Sequence, residues 1–410
     1  MVRRPSLGAI FLTIFLDLLG FGLVLPFLAE RARDTFGTSE LTGTLLSAVY
    51  SLMQFLFVPV WGRLSDRVGR RPVLVWSVAA TALSWVGLGA GLAWGTSVLW
   101  LFAARIAAGI ATANLGTASA YIADVTPPEE RARGMGLIGM AFGLGFILGP
   151  GLGGVLADIE VHGRHGPVAC WAAAALSVVN LGWVVIGLAE SLPPENRSKE
   201  PARRTPLDVV AAKQAFAIPG VARAVLVNFV LVLSFASFEQ TYRFFNKDVF
   251  GMTVRETGLV LAFIGVVAAG VQGGLIRRLA RRFHEGTLIR VGSALQIVAF
   301  LATAAAPWTG RWMLYVAGAV LALGNGITQP SVSAYVSKSA GADQQGGVLG
   351  TSQSAASLAR MFGPALGGLL YQSLGRNAPN VAAAVGMAGG LLIALGLAAP
   401  RAQSTSTQTS

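Results

Sequence analysis

Four ionisable residues stand inside long apolar runs, where a charge is costly. Asp17 lies in Phe15-Leu-Asp17-Leu-Leu-Gly-Phe-Gly-Leu-Val-Leu-Pro26, Arg105 in Leu101-Phe-Ala-Ala-Arg105-Ile-Ala-Ala-Gly109, Glu239 in Phe235-Ala-Ser-Phe-Glu239-Gln240-Thr-Tyr242, and Arg360 shortly before Phe362-Gly363-Pro364. A charge at mid-bilayer costs about 2.5–3.5 kcal/mol on insertion scales, so each is expected to face a cavity or a partner. Desolvation favours the neutral form of an acid, which fits Asp17 to take up and release a proton as its access to water changes. Asp17 therefore reads either as a proton- or substrate-coupling group or as a structural partner for a cation or helix end. Arg105, a turn or two from one end of its run, either lines a cavity or snorkels to the interface. Glu239 is either a cavity carboxylate or an interfacial acid paired with Arg243 one turn on. Arg360 is too far from either end for easy snorkelling and is expected to pair or to face water. Among the polar residues in apolar runs, Gln54, Asn114 and Gln329 read as hydrogen-bonding groups of a substrate cavity, with interhelical packing as the alternative; Asn325 and Gln353 are of the same kind.

These residues must be positioned by membrane-spanning helices. The 410 residues are 54% hydrophobic and 12% charged, with a mean hydropathy of +0.63, which excludes a set of soluble domains. A bilayer core of ~30 Å needs about 20 helical residues. Twelve such runs fall near 7–29, 42–61, 72–94, 97–122, 135–157, 168–189, 221–244, 257–276, 287–306, 312–336, 347–370 and 380–399. The first follows Arg3 and Arg4 like a signal peptide, but its length, internal Asp and lack of a small-residue cleavage site mark a retained span. The chopped pattern is not that of a transmembrane β-barrel. The net charge of +12 comes from basic clusters between the spans rather than a continuous patch, so it reports orientation and not nucleic-acid binding. Of 31 Lys and Arg, 21 fall in segments on the side of the termini and 8 on the other, the rest being Arg105 and Arg360. This predicts cytoplasmic termini in the cell (inner) membrane.

The stretch Glu190 to Pro219 carries five prolines and scattered charges, and reads as a linker. The expected organisation is a six-helix bundle over 1–189, a cytoplasmic linker over 190–219, a second six-helix bundle over 220–399 and a tail over 400–410. Ser119-Ala-Tyr-Ile recurs as Ser333-Ala-Tyr-Val, and Gly149-Pro150 with Gly153-Gly154 recurs as Gly363-Pro364 with Gly367-Gly368, both at the same separation along the chain. Two matches at one separation imply a duplicated unit, and parallel repeats are a transporter architecture.

Two segments carry further mechanism. Gly62-Arg-Leu-Ser-Asp66-Arg-Val-Gly69-Arg70-Arg71-Pro72 joins the second and third runs: glycine suits the turn, Pro72 the first turn of the next helix, and Asp66 is positioned for charge-assisted pairs. Gly62, Asp66, Arg70 and Arg71 are the candidate cytoplasmic gate, as against a basic orienting loop. In the fifth run, Gly145, Gly149, Pro150, Gly153 and Gly154 permit close approach of a neighbouring helix, and Pro150 is expected to kink the run. Cys170, the single cysteine, forms no intrachain disulfide and reads as a small core residue.

Together these residues resemble the major facilitator superfamily, specifically its twelve-span drug/proton antiporters. The segment Gly62 to Arg71 is similar to the family's cytoplasmic signature, Arg105 to Gly109 to its fourth-span Arg motif, and Gly145 to Gly154 to its antiporter motif. Arg105-Ile-Ala-Ala-Gly-Ile through Ala120-Tyr-Ile-Ala-Asp124-Val-Thr, Glu130-Arg-Ala-Arg133, and Leu16-Asp17 before Gly20 and Pro26 resemble the tetracycline/proton antiporters. The resemblance implies proton or substrate handling by Asp17, a gate role for Asp66 and Arg70, and coupling by Arg105. Two departures stand out: Ala262 to Gln272 has no His, and the third run has no acid in Thr81-Ala-Leu-Ser-Trp85. The cargo thus stays open between a tetracycline, another drug and a metabolite, with Glu239 and Arg360 as alternative coupling groups. The expectation is a monomeric, all-α secondary transporter exporting a small amphiphilic drug against proton entry, with no cofactor or metal. The alternative is a metabolite or sugar symporter or uniporter on the same fold. No Walker loop or paired catalytic groups point to an enzyme.

Overall fold

A computed structural model describes residues 6–127, 131–197, 213, 216–218, 220–339 and 345–397. The helices are α1 (Leu7–Val24), α2 (Leu28–Phe36), α3 (Glu40–Val68), α4 (Arg70–Trp94), α5 (Leu99–Ala111), α6 (Leu115–Val125), α7 (Arg131–Ala157) and α8 (Pro167–Gly187), then α9 (Val221–Phe250), α10 (Val254–Gly270), α11 (Ile276–Ala280), α12 (Glu285–Thr309), α13 (Trp312–Ser339), α14 (Gln345–Leu374) and α15 (Ala378–Leu395). A π-helical turn, Val271–Leu275, joins α10 to α11. Among the described residues, nine helical segments are long and apolar enough to cross a membrane by length and composition. The other three predicted runs are the continuous helices α7, α13 and α14, of 27, 28 and 30 residues. Most of the predicted linker, and all of the tail, lie outside the described residues.

The apolar runs understate the helices. The second run ends near 61, but α3 continues to Val68 through Arg63 and Arg67, because helical hydrogen bonding continues into water wherever helix formers follow. Gly62 is consequently inside α3, and the turn is made by Gly69 at φ 108°. Sterics also require glycine at the turn: a methyl group on Gly69 would strike the Glu190 carboxylate, whereas one on Gly62 would meet nothing. The first run is broken at 25–27, where Pro26 has no N–H to donate. The fourth is interrupted at Thr112–Asn114, with the Thr112 hydroxyl donating back to the Ala108 carbonyl at 2.8 Å. The helix runs unbroken across Pro150 in α7, as across Pro364 in α14.

Helices α1–α8 pack among themselves, with α1 against α7 and α8, and α4 against α5 and α8. Helices α9–α15 do the same, with α9 against α14 and α15, and α12 against α13. The two groups meet where α7 packs on α10 and α3 on α14.

The seams within and between groups are built by small residues. A methyl on Gly149 would lie 2.6 Å from the Gly22 Cα, and one on Gly153 would strike the Leu23 carbonyl. Gly363 bears in the same way on Ala236, and Gly367 on the Ser237 carbonyl. Between groups, Gly154 abuts Gly258 while Gly368 abuts Thr44. Each contact in one half has its counterpart at the repeat-equivalent positions of the other, so the repeat read from glycine and proline is also a repeat of contacts. Gly153→Ala is expected to destabilise by about 1–3 kcal/mol through overpacking, and Gly182→Ala, which has open space around it, to be neutral. Thermal unfolding in detergent checks this; equal midpoints for both variants would rule out the seam.

Candidate functional site

Asp17 is half-buried on α1. Its carboxylate accepts from the Asn180 amide at 2.9 Å and from Asn114 at 3.4 Å. Asn180 also donates to the Thr13 carbonyl at 3.0 Å, and Asn114 to the Ser77 hydroxyl at 2.5 Å. The break between α5 and α6 brings Asn114 to this position. Asp17 thus has two neutral donors and, among the described residues, no ion pair. Neutral donors hold the acid in its charged form less firmly than a salt bridge would, which leaves protonation within reach.

Arg105 is 2% exposed. Its guanidinium stacks on the Tyr50 ring, 4.1 Å from the centroid, and Nε donates to the Leu46 carbonyl at 3.4 Å. Snorkelling is therefore not what Arg105 does here. A desolvated cation–π contact is worth about 2 kcal/mol, less than the several kcal/mol that burying an ion costs, so this cation is undercompensated. The Tyr50 hydroxyl accepts from Gln54 at 3.0 Å and from Thr112 at 2.8 Å. Asp17, Arg105 and Arg360 all act electrostatically on Tyr50. Arg360 has one neutral hydrogen bond, to Ser357 at 3.2 Å, and interacts at longer range with Glu239. The centre therefore joins Asp17, Gln54, Arg105 and Asn114 of the first half with Glu239 and Arg360 of the second. Gln329 contributes a buried side-chain oxygen with no partner among the described residues and is not among the groups bonded there. Ser47 donates to Gln240 across the halves at 2.7 Å.

At the end bearing the chain termini, Arg70 gathers acids from three elements. Its guanidinium bonds Asp66 at 2.5 Å, Asp124 at 3.2 Å and the Ser65 hydroxyl at 2.7 Å. The Glu190 carboxylate accepts from the Arg70 and Arg71 backbone N–H groups at 2.8 and 3.2 Å, capping α4. Arg71 reaches the Val185 carbonyl at 2.7 Å. The cluster ties α3, α4, α6 and the chain after α8 together within one half.

At the opposite end, ion pairs cross between the halves. Glu30 on α2, 1% exposed, receives a bidentate fork from Arg243 at 2.7 and 2.8 Å and Lys247 at 2.9 Å. Arg33 bonds Asp248 at 3.3 Å, and Lys247 bonds Asp34 at 2.6 Å. Arg33-Asp34 and Lys247-Asp248 occupy equivalent positions of the repeat, so the two bonds are one contact made twice in opposite senses. Tyr371 adds a donor to Asp248 at 2.8 Å. Arg243 is thereby engaged with Glu30, and the Glu239–Arg243 pair does not form. A void of about 10 Å³, room for one water, lies just inside, lined by Phe21, Val24, Leu25, Leu28, Ser47 and Arg105. Gly37, at φ 62°, ends α2 in the left-handed conformation and returns the chain to α3. Among the described residues no group of three or more His, Cys, Asp and Glu is arranged to hold a metal.

Sequence reasoning missed Asn180, Tyr50 and Glu30. A lone Asn or Tyr in an apolar helix carries no distinguishing pattern, but the repeated cation–acid dipeptide did share the separation already found for the glycines.

The model of the Major Facilitator Superfamily matches residues 10–350 and 297–409. The class C tetracycline resistance protein of Escherichia coli is 34% identical over 392 residues, 95% of each chain. Multidrug resistance protein 2 of Bacillus subtilis is 28% identical over 87% of this chain and 86% of its own. The crystal structure of the human organic anion transporter MFSD10 is similar with a TM-score of 0.71 and 26% identity, over 95% of this chain and 100% of that one.

Removing one member of a buried ion pair typically costs about 3–5 kcal/mol. Glu30→Gln is therefore expected to loosen the closed end. A cysteine placed at Ser47, in a Cys170→Ala background, should react faster with an impermeant thiol reagent added on the side opposite the termini. An unchanged labelling rate would mean that these ion pairs do not hold the end shut.

Proposed function

The chain belongs to the Major Facilitator Superfamily and is a multi-pass membrane transporter, and we propose that it exports a small amphiphilic drug, tetracycline-like in kind, in exchange for protons. In this reading it works as a monomer in the cell (inner) membrane, with both termini in the cytoplasm. The observation that carries the reading is Asp17: an acid within a span, held by two amides and by no cation among the described residues. The similarity to tetracycline and multidrug resistance proteins supports the cargo class.

The two ends of the molecule supply the alternating access. Cross-half ion pairs close the outer end here, and Arg70 organises the inner end within the first half. Opening outward requires separating Glu30 from Arg243 and Lys247, while α7 and α10 rock about their small-residue contacts. A proton arriving from outside neutralises Asp17 and favours the turn to the inward-open state; its release inside favours return. One proton moving down 100 mV supplies about 2.3 kcal/mol. Among the described residues neither Arg105 nor Arg360 has a carboxylate hydrogen bond, so both are available to an anionic group of the cargo. That feature also favours a second reading, an organic-anion exporter on the same fold.

In energised vesicles, Asp17→Asn is expected to abolish accumulation against a gradient while sparing cargo exchange; retained proton-driven accumulation removes Asp17 from the mechanism. Growth of an expressing strain on a drug panel including tetracyclines tests the cargo. A flux indifferent to an imposed pH gradient would favour a uniporter for a metabolite or sugar instead.

A further inference from the structure

The internal repeat places Ile276–Glu285 where Gly62–Arg71 stands in the first half, and the two copies have diverged in charge. In the first copy Arg70 is held by Asp66 and Asp124. In the second, the positions equivalent to Arg70, Asp66 and Asp124 are His284, Ala280 and Lys338, so both acids are gone and a further cation has come in. Lys338 takes the local acid Glu285 for itself. Arg277, Arg278, Arg281 and Arg282 remain, all exposed, on α11 and the turn that follows it. Among the described residues none of the four guanidiniums has a hydrogen bond or ion pair, although the four cations crowd into little more than one helical turn.

Exposed apolar side chains adjoin them. Helix α10 leads into this corner with Leu259, Phe263 and Val266 exposed on its outer face. Leu275 and Phe283, 37% and 49% exposed, flank the arginines. The corner therefore combines cations that have no partner among the described residues with exposed apolar side chains, the two components of an interfacial anchor.

We propose that Arg277, Arg278, Arg281 and Arg282, with Phe283 between the headgroup and acyl regions, form a binding surface for the phosphate of anionic phospholipids. Guanidinium forks bond phosphate oxygens in pairs, and the lipid supplies the negative charge that Asp66 and Asp124 supply in the other half. Each arginine that meets the headgroup adds roughly fivefold to its association.

The full chain, reconstituted in phosphatidylcholine, is probed with spin-labelled phosphatidylglycerol and spin-labelled phosphatidylcholine, and the motionally restricted fraction of each is read by electron paramagnetic resonance. The wild type should prefer phosphatidylglycerol severalfold, less so at high salt. The preference should halve or more in R281Q/R282Q, vanish in the R277Q/R278Q/R281Q/R282Q variant, and weaken without vanishing with lysine at all four positions. Equal association of the two lipids with the wild type overturns the proposal, and that arm needs no variant to insert correctly. A preference unchanged in R281Q/R282Q also overturns it, by placing the lipid elsewhere. Loss of the preference in millimolar inorganic phosphate overturns it in favour of a site for the free ion.

Discussion

An ion removed from water costs several kcal/mol unless a partner of opposite charge meets it, and this chain divides its buried and half-buried charges into two unequal sets. Glu30 is enclosed by Arg243 and Lys247 with short, bidentate geometry. Arg105 has an aromatic ring and one carbonyl, Asp17 has amides, and Arg360 has a serine hydroxyl. Satisfied charges lie at the ends, Glu30 at the one that is shut and Arg70, held by Asp66 and Asp124, at the other. The unsatisfied set lies in the centre, where a proton and a cargo can complete it. An arrangement with every charge paired would be more stable and would have nothing left to respond to either.

The close helix contacts make the two sets movable relative to one another. With Gly149 on Gly22 and Gly363 on Ala236, each half is rigid where α1 meets α7 and where α9 meets α14. The contacts of Gly154 with Gly258 and Gly368 with Thr44 bring backbones together between halves without interlocked side chains. Such surfaces separate without repacking a core, and the polar bonds at the closed end then carry most of the specificity of that state.

The membrane architecture and its duplication were legible because hydropathy and a fixed separation are properties of the sequence itself. Asp17 and Arg105 were legible for the same reason: a charge in an apolar run stands out. Glu30 was not, because Glu30-Arg31-Ala-Arg33-Asp34 looks like a solvated segment, and its partners lie in the other half of the chain. Gly62 was misplaced into a turn because apolar runs report lipid contact, while the helix follows its own hydrogen bonds to Val68. Nothing local distinguishes Asn180 from a packing residue; its role depends on α8 crossing α1 at the level of Asp17.

The crossed bonds Arg33–Asp248 and Lys247–Asp34 have a bearing on origin. When residue i of one body meets j of another while j meets i, the interface is isologous, and its natural setting is a two-fold dimer of identical subunits. A single ancestral six-helix unit bearing one cation–acid dipeptide would have been complementary to its own copy and have closed on it through both bonds at once. The present pair keeps that reciprocity within one chain, with Lys247 standing where the first half has Arg33.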